Sequence, residues 1–194
     1  MEKVKWLLLS LILVITSSVK AQSDDFADNG LLKAQLTLSP SYLFSEKQSL
    51  FYLHGNLEYY LQDQISVAGE GYFFMGSSNG DSTIFDYNHS GFFGLSKHYL
   101  KGNNDFYIGL QPGISITKLK SVNDSLPNPP NGVNPLFSVI SGYNYFVGNY
   151  VHFFIQMRYV GGQNNYRKAL NINELRLSAG LGFNLKTKRR KYSD

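Results

Sequence analysis

The chain has 194 residues, with 18 Lys and Arg against 14 Asp and Glu and a net charge of +4. It has no Cys, which excludes a disulfide framework, thiol catalysis, cysteine metal sites and a lipid anchor on an N-terminal cysteine. The basic balance is no case for a nucleic-acid-binding body, because it sits at the two ends. Lys3, Lys5 and Lys20 lie in the leader, Lys186, Lys188, Arg189, Arg190 and Lys191 lie in the tail, and the part between is slightly acidic.

The leader opens "MEKVKWLLLSLILVITSSVKAQ". A basic start, an apolar run over residues 6–19 and a small-residue site at Val19-Lys20-Ala21 predict a signal peptide over residues 1–21. The apolar run is short for a membrane-spanning helix, which needs about 20 residues. A polar lead-in follows at residues 22–30. The remainder, residues 31–186, holds no long apolar run, yet it is rich in aromatic residues and glycine. That combination suits many alternating strands.

Period-2 alternation marks eight of them. The first covers about residues 33–44, with Ala34, Leu36, Leu38, Pro40, Tyr42 and Phe44 opposing Lys33, Gln35, Thr37, Ser39 and Ser41. The second, about 50–61, sets Phe51, Leu53, Leu57 and Leu61 against Tyr52, His54, Asn56, Glu58 and Tyr60. The third, about 65–75, opposes Ile65, Val67 and Phe73 to Ser66, Ala68, Glu70 and Tyr72; the fourth, about 84–100, opposes Phe85, Tyr87, Phe93 and Leu95 to Asp86, Asn88, Ser90 and His98. The fifth, about 106–117, sets Ile108, Leu110, Ile114 and Ile116 against Tyr107, Gln111 and Ser115. The sixth, about 136–147, is the least regular, because Ile140 and Phe146 fall among its polar positions. The seventh, about 150–160, alternates Val151, Phe153, Ile155, Met157 and Tyr159 with His152, Gln156 and Arg158. The eighth is "ELRLSAGLGFNLK" at Glu174–Lys186. Pro40 and Pro112 lie inside strands, where local bulges are expected.

Most of these segments run longer than the 5–6 residues usual in soluble strands and match the about 9–11 of a tilted membrane-spanning strand. Short connectors at 62–64, 101–104 and 148–149 alternate with longer ones at 45–49, 76–83, 118–135 and 161–173. An up-and-down barrel would place each set at one end, with both termini at the short-turn end.

The two faces decide the solvent. The apolar face is nearly free of charge, with Lys97 as the main exception, near a short turn where it can snorkel. The other face carries a few charges among Ser, Gly, Asn, Gln, Tyr and His, whereas a solvated face would be richer in Lys and Glu. The apolar face is therefore expected to meet lipid, with Lys33, Glu58, Glu70, Asp86, Arg158 and Arg176 forming a paired, structural charge network inside. Asp86, Arg158 and Arg176 are expected to pair near the loop end. Aromatic bands are expected at Tyr59, Tyr99, Phe106 and Tyr145, and again at Tyr42, Phe44, Phe73, Phe85, Tyr87 and Tyr159.

The leader, the alternating strands, "GEGYFF" in the third and "LRLSAGLGFNLK" in the last resemble the OmpA/OmpX-like family of outer-membrane β-barrels, and "VKAQ" is similar to signal ends of Bacteroidetes-type bacteria. The resemblance implies an all-β, eight-stranded antiparallel up-and-down transmembrane barrel in the Gram-negative outer membrane. It implies location more than activity. It also departs from the pattern: no aromatic residue ends the last strand, and the basic tail 187–194 follows.

No catalytic, cofactor-binding or metal site is expected. His54, His98 and His152 face inward at different heights and are read as hydrogen-bonded structural residues. His89 and Ser90 are adjacent, point to opposite faces and cannot act as a pair. The expected partners are outer-membrane lipid and, through residues 118–135 and 161–173, a loop-mediated partner; no nucleic acid is expected, and the barrel is read as a monomer. Alternative readings are a soluble lipocalin-like carrier of an apolar ligand and a lipid-modifying barrel enzyme.

Overall fold

The computed structural model describes residues 29–78, 83–120, 131–164 and 170–187. The expected signal peptide, most of the lead-in and most of the tail lie outside these residues. Eight strands follow in chain order: β1 Leu31–Leu43, β2 Gln48–Gln62, β3 Ile65–Ser77, β4 Phe85–Lys101, β5 Asn104–Leu119, β6 Gly132–Phe146, β7 Val151–Gly162 and β8 Glu174–Lys186. Each pairs antiparallel with its neighbours, and β1 pairs β8 to close the barrel. Closure leaves no unpaired edge, the condition for a sheet to survive in hydrocarbon.

The strands are longer than the alternation alone suggested. β5 and β6 run on to pair Thr117 with Gly132, so both enter the segment expected as a loop, and Pro135 lies opposite Ile114 within the ladder. At one end the turns are tight: Gly102 takes a left-handed φ of 60° between β4 and β5, a conformation cheap for a residue without Cβ.

Burial alternates along every strand, as in the pattern eBeBeBeB that begins β5. The outward positions include Leu36, Leu57, Leu110, Ile155 and Leu181, all well exposed. The inward positions include Lys33, Glu58, Glu70, Arg158 and Arg176, all buried. This is an inversion of a water-soluble barrel, which buries apolar and exposes charged side chains. Ile140 and Phe146, the two irregular positions of β6, are buried inside with the polar residues.

The prolines do not make bulges. The β1–β2 register runs unshifted through Pro40↔Phe51, and the β5–β6 register through Pro112↔Phe137. What changes is the ladder on the other side. Between β1 and β8 the pairs lapse from Gln35↔Gly182 to Ser41↔Arg176, and between β4 and β5 from Phe92↔Gly113 to Leu95↔Leu110. A missing N–H interrupts one ladder without inserting a residue. At the first lapse the Thr37 and Ser39 hydroxyls donate to the carbonyls of Ala179 and Leu177, each at 2.7 Å. The register shifts lie elsewhere, between Phe51 and Tyr52, Tyr60 and Gln62, and Phe85 and Tyr87.

Candidate functional site: the packed lumen and its mouth

The side chains of the lumen meet in three tiers. Near the short turns, Lys33 Nζ lies 2.8 Å from Glu58 Oε2 and 3.7 Å from Asp105 Oδ2. His98 bridges the same two carboxylates, with Nε2 at 2.9 Å from Glu58 and Nδ1 at 2.9 Å from Asp105. The Tyr60 hydroxyl donates to Asp105 at 2.7 Å, and the Asn144 amide at 2.8 Å. Lys33 and His98 thus share two carboxylates, and the carboxylates accept further hydrogen bonds. That is the condition under which buried charge is tolerated.

Midway along the barrel, Arg158 Nη2 lies 2.5 Å from Glu70 Oε1. Its Nη1 donates to Ser138 Oγ at 2.6 Å, and its Nη2 also to Gln111 Oε1 at 2.9 Å. Glu70 in turn accepts from Gln111, Gln156 and His54 at 3.0, 2.9 and 2.9 Å. Nearer the loops, Arg176 Nε donates to Glu174 Oε2 at 3.0 Å and Nη1 to Ser90 Oγ at 2.7 Å. Glu174 also accepts from Ser41 and Tyr52. Above this tier Leu43, Leu50, Phe85, Leu136 and Val160 cluster with Leu170 and Ile172 of the β7–β8 connector. The mouth is thus lined by apolar side chains in contact.

Asp86 is not part of the interior. Its side chain is 47% exposed and pairs with Lys118 at 2.8 Å on the outside. The cause is the register shift between Phe85 and Tyr87. A bulge puts one extra residue into the strand and breaks the two-residue period. Phe85 and Asn88 therefore both point inward, and Asp86 turns out. Phe85 is buried for the same reason and leaves the expected outer aromatic band. The expected pairing of Asp86 with Arg158 and Arg176 is replaced by Glu70 and Glu174. Glu174 and Asp105 were not singled out from the sequence. The signal was available: Asp105 stands two residues before inward Tyr107, and Glu174 two before inward Arg176.

The three inward histidines stay apart. His54 serves Glu70, His98 the lower carboxylates, and His152 contacts Gln35 at 2.9 Å and Asn184 at 2.6 Å. No group of three or more His, Asp or Glu side chains that could hold a metal ion is found among the described residues. His89 and Ser90 lie on opposite sides of the wall. His89 Nδ1 accepts from the Phe74 N–H at 3.0 Å, and Ser90 serves Arg176 inside.

Glycines make the room for this packing. A Cβ on Gly142 would fall on the Tyr107 ring, and one on Gly182 on the His152 ring. The closed eight-strand ring, the antiparallel neighbours and the inverted faces settle the architecture.

The fold is that of the OmpA/OmpX-like eight-stranded outer-membrane barrels. The Neisserial surface protein NspA is similar, with a TM-score of 0.60 at 13% identity over 80% of this chain and 96% of that one. OprG from Pseudomonas aeruginosa gives 0.58 at 13% identity, over 84% and 99%. Ail, the attachment invasion locus protein of Yersinia pestis, gives 0.57 at 11%, over 81% and 99%. The sequence matches no protein-family model and no curated protein.

Proposed function

We propose that the chain is an integral protein of the outer membrane with a filled interior. It is not a general diffusion pore and not an enzyme. Its role is structural or mediated by its loops, through residues 118–135 and 161–173. The observation that carries this reading is the pairing of Arg158 with Glu70 across the lumen, both side chains 1% exposed. An open channel would keep such groups in water. An eight-strand barrel is just wide enough for its side chains to fill it, and the apolar cluster at the mouth supports closure.

The outward Leu, Ile and Phe residues support insertion in lipid, because in water they would form a large unpartnered apolar surface. A lipocalin-like carrier would need the opposite distribution. A role in contact with other surfaces draws support from Ail, which has been solved in complex with the heparin analogue sucrose octasulfate.

Cell fractionation with unheated and heated gels tests location and fold together. The expected result is a membrane-fraction protein whose migration shifts on heating; a freely soluble protein overturns the reading. Planar-bilayer recording tests the interior. No steady conductance is expected, and discrete ion-conducting openings would exclude a filled lumen.

A further inference from the structure

The outer surface holds a groove of about 780 Å³ at the β4–β5 wall. Ile65, Phe93, Leu95, Ile108, Leu110 and Pro112 line it, and Lys97 stands at its rim. The groove coincides with the place where the β4–β5 ladder lapses between Phe92↔Gly113 and Leu95↔Leu110. Pro112, which has no backbone N–H, lies at this lapse with its ring outward. Lys97 faces outward between Ile65 and Ile108, its cross-strand partners on either side. Its Nζ donates to the Gln64 side-chain carbonyl at 2.7 Å. Among the described residues no carboxylate forms an ion pair with it.

A lone ammonium above an apolar groove, on a surface that faces lipid, is the complement of one molecule: an anionic headgroup joined to a hydrocarbon chain. We propose that this groove holds an acidic glycerophospholipid in the leaflet at the short-turn end. Its phosphate sits on Lys97 Nζ and one acyl chain lies over Leu110 and Pro112. Gln64 accepts from Lys97 through its oxygen and keeps its amide N–H groups free to donate to a phosphate oxygen. Snorkelling brings the lysine to headgroup height, while its methylene stem remains in the apolar layer. The smaller groove of about 400 Å³ near Gly55, Gly69 and Gly71 has no charged lining residue and offers no such complement. The proposal rests on the membrane-barrel reading above.

The test uses the folded full-length barrel in mild detergent, loaded with phosphatidylglycerol, with retained lipid counted by native mass spectrometry. Wild type is expected to keep one lipid. Lys97→Gln should weaken retention about fivefold, the worth of one lysine near an anionic surface. Lys101→Gln removes the same charge from the neighbouring turn and should leave retention unchanged. Leu110→Trp fills the groove and should also reduce retention with Lys97 intact. Equal losses from Lys97→Gln and Lys101→Gln, or full retention by Leu110→Trp, overturn the proposal. Each variant is first required to show the heat-dependent gel shift, so a lost site is distinct from a lost barrel. Failure of the membrane reading itself would show as a wild-type protein that stays soluble without detergent.

Discussion

Arg158 and Arg176 face each other across the β7–β8 ladder, yet each is held by its own carboxylate. Glu70 takes Arg158 and Glu174 takes Arg176. Like charges opposed on one face of a sheet repel. Here aromatic rings share the space: the Arg176 guanidinium lies 4.3 Å from the Tyr52 ring centre and 4.6 Å from that of Tyr72, and that of Arg158 lies 4.5 Å from Phe92. Each ring face attracts the cation above it. Carboxylates and rings together let two guanidiniums lie buried side by side.

Removing one partner of such a pair should cost more than removing both. Arg158→Ala leaves Glu70 buried without its counter-charge, a loss of roughly 3–5 kcal/mol. The heat needed to unfold the barrel in unheated-versus-heated gels should fall clearly. Arg158→Met with Glu70→Gln should recover much of it. An unchanged transition in Arg158→Ala would remove the case for a structural network.

The two acidic residues near the mouth should separate cleanly. Asp86→Asn breaks only an exposed pair with Lys118, and the gel transition should stay where it is. Glu174→Gln strips Arg176 of its counter-charge while leaving the hydrogen bonds possible, and the transition should drop. Equal effects would mean that the bulge at Phe85–Tyr87 does not turn Asp86 outward.

Overpacking should be felt at the glycines that face large side chains. Gly142→Ala places a methyl group against Tyr107 and should destabilise by about 1–3 kcal/mol. Tyr107→Leu in the same chain should relieve part of that loss, at the expense of the Tyr107–Gln156 hydrogen bond of 2.8 Å. A double-mutant cycle measures the coupling, and additive effects would show that the two residues do not meet.

The outward face offers the sharpest test of the solvent. Leu181→Arg puts a guanidinium where the wall is apolar; near the bilayer midplane this costs roughly 2–4 kcal/mol. Folding into phospholipid vesicles should become markedly less efficient. Leu181→Ile, which keeps the surface apolar, should fold normally. Efficient folding of Leu181→Arg would argue that this face never meets hydrocarbon.

Much of the lumen was legible in the alternation. A two-residue period assigns each side chain to a face, and that is a local property of extended backbone. It put Lys33, Glu58, Glu70, Arg158 and Arg176 on one side and the leucines on the other. Asp86 escaped because a single extra residue at the bulge reverses the parity beyond it. Asp105 and Glu174 were passed over at the ends of their segments: Asp105 stands one residue before the expected start of the fifth strand and Glu174 opens the eighth, although the parity of both matched the inward face.

The residues by themselves determined that eight strands form, how they alternate, and that the charged face is too sparse in Lys and Glu to meet water. Partner choice was decided by the closed barrel. Which carboxylate meets which cation depends on height and angle around the ring, set by register and strand tilt across all eight strands. Glu70 reaches Arg158, and His98 joins Glu58 to Asp105, because closure brings distant strands to one level. Leu170 and Ile172 lie over the mouth for the same reason: the connector that carries them finds its apolar neighbours only once the wall is complete.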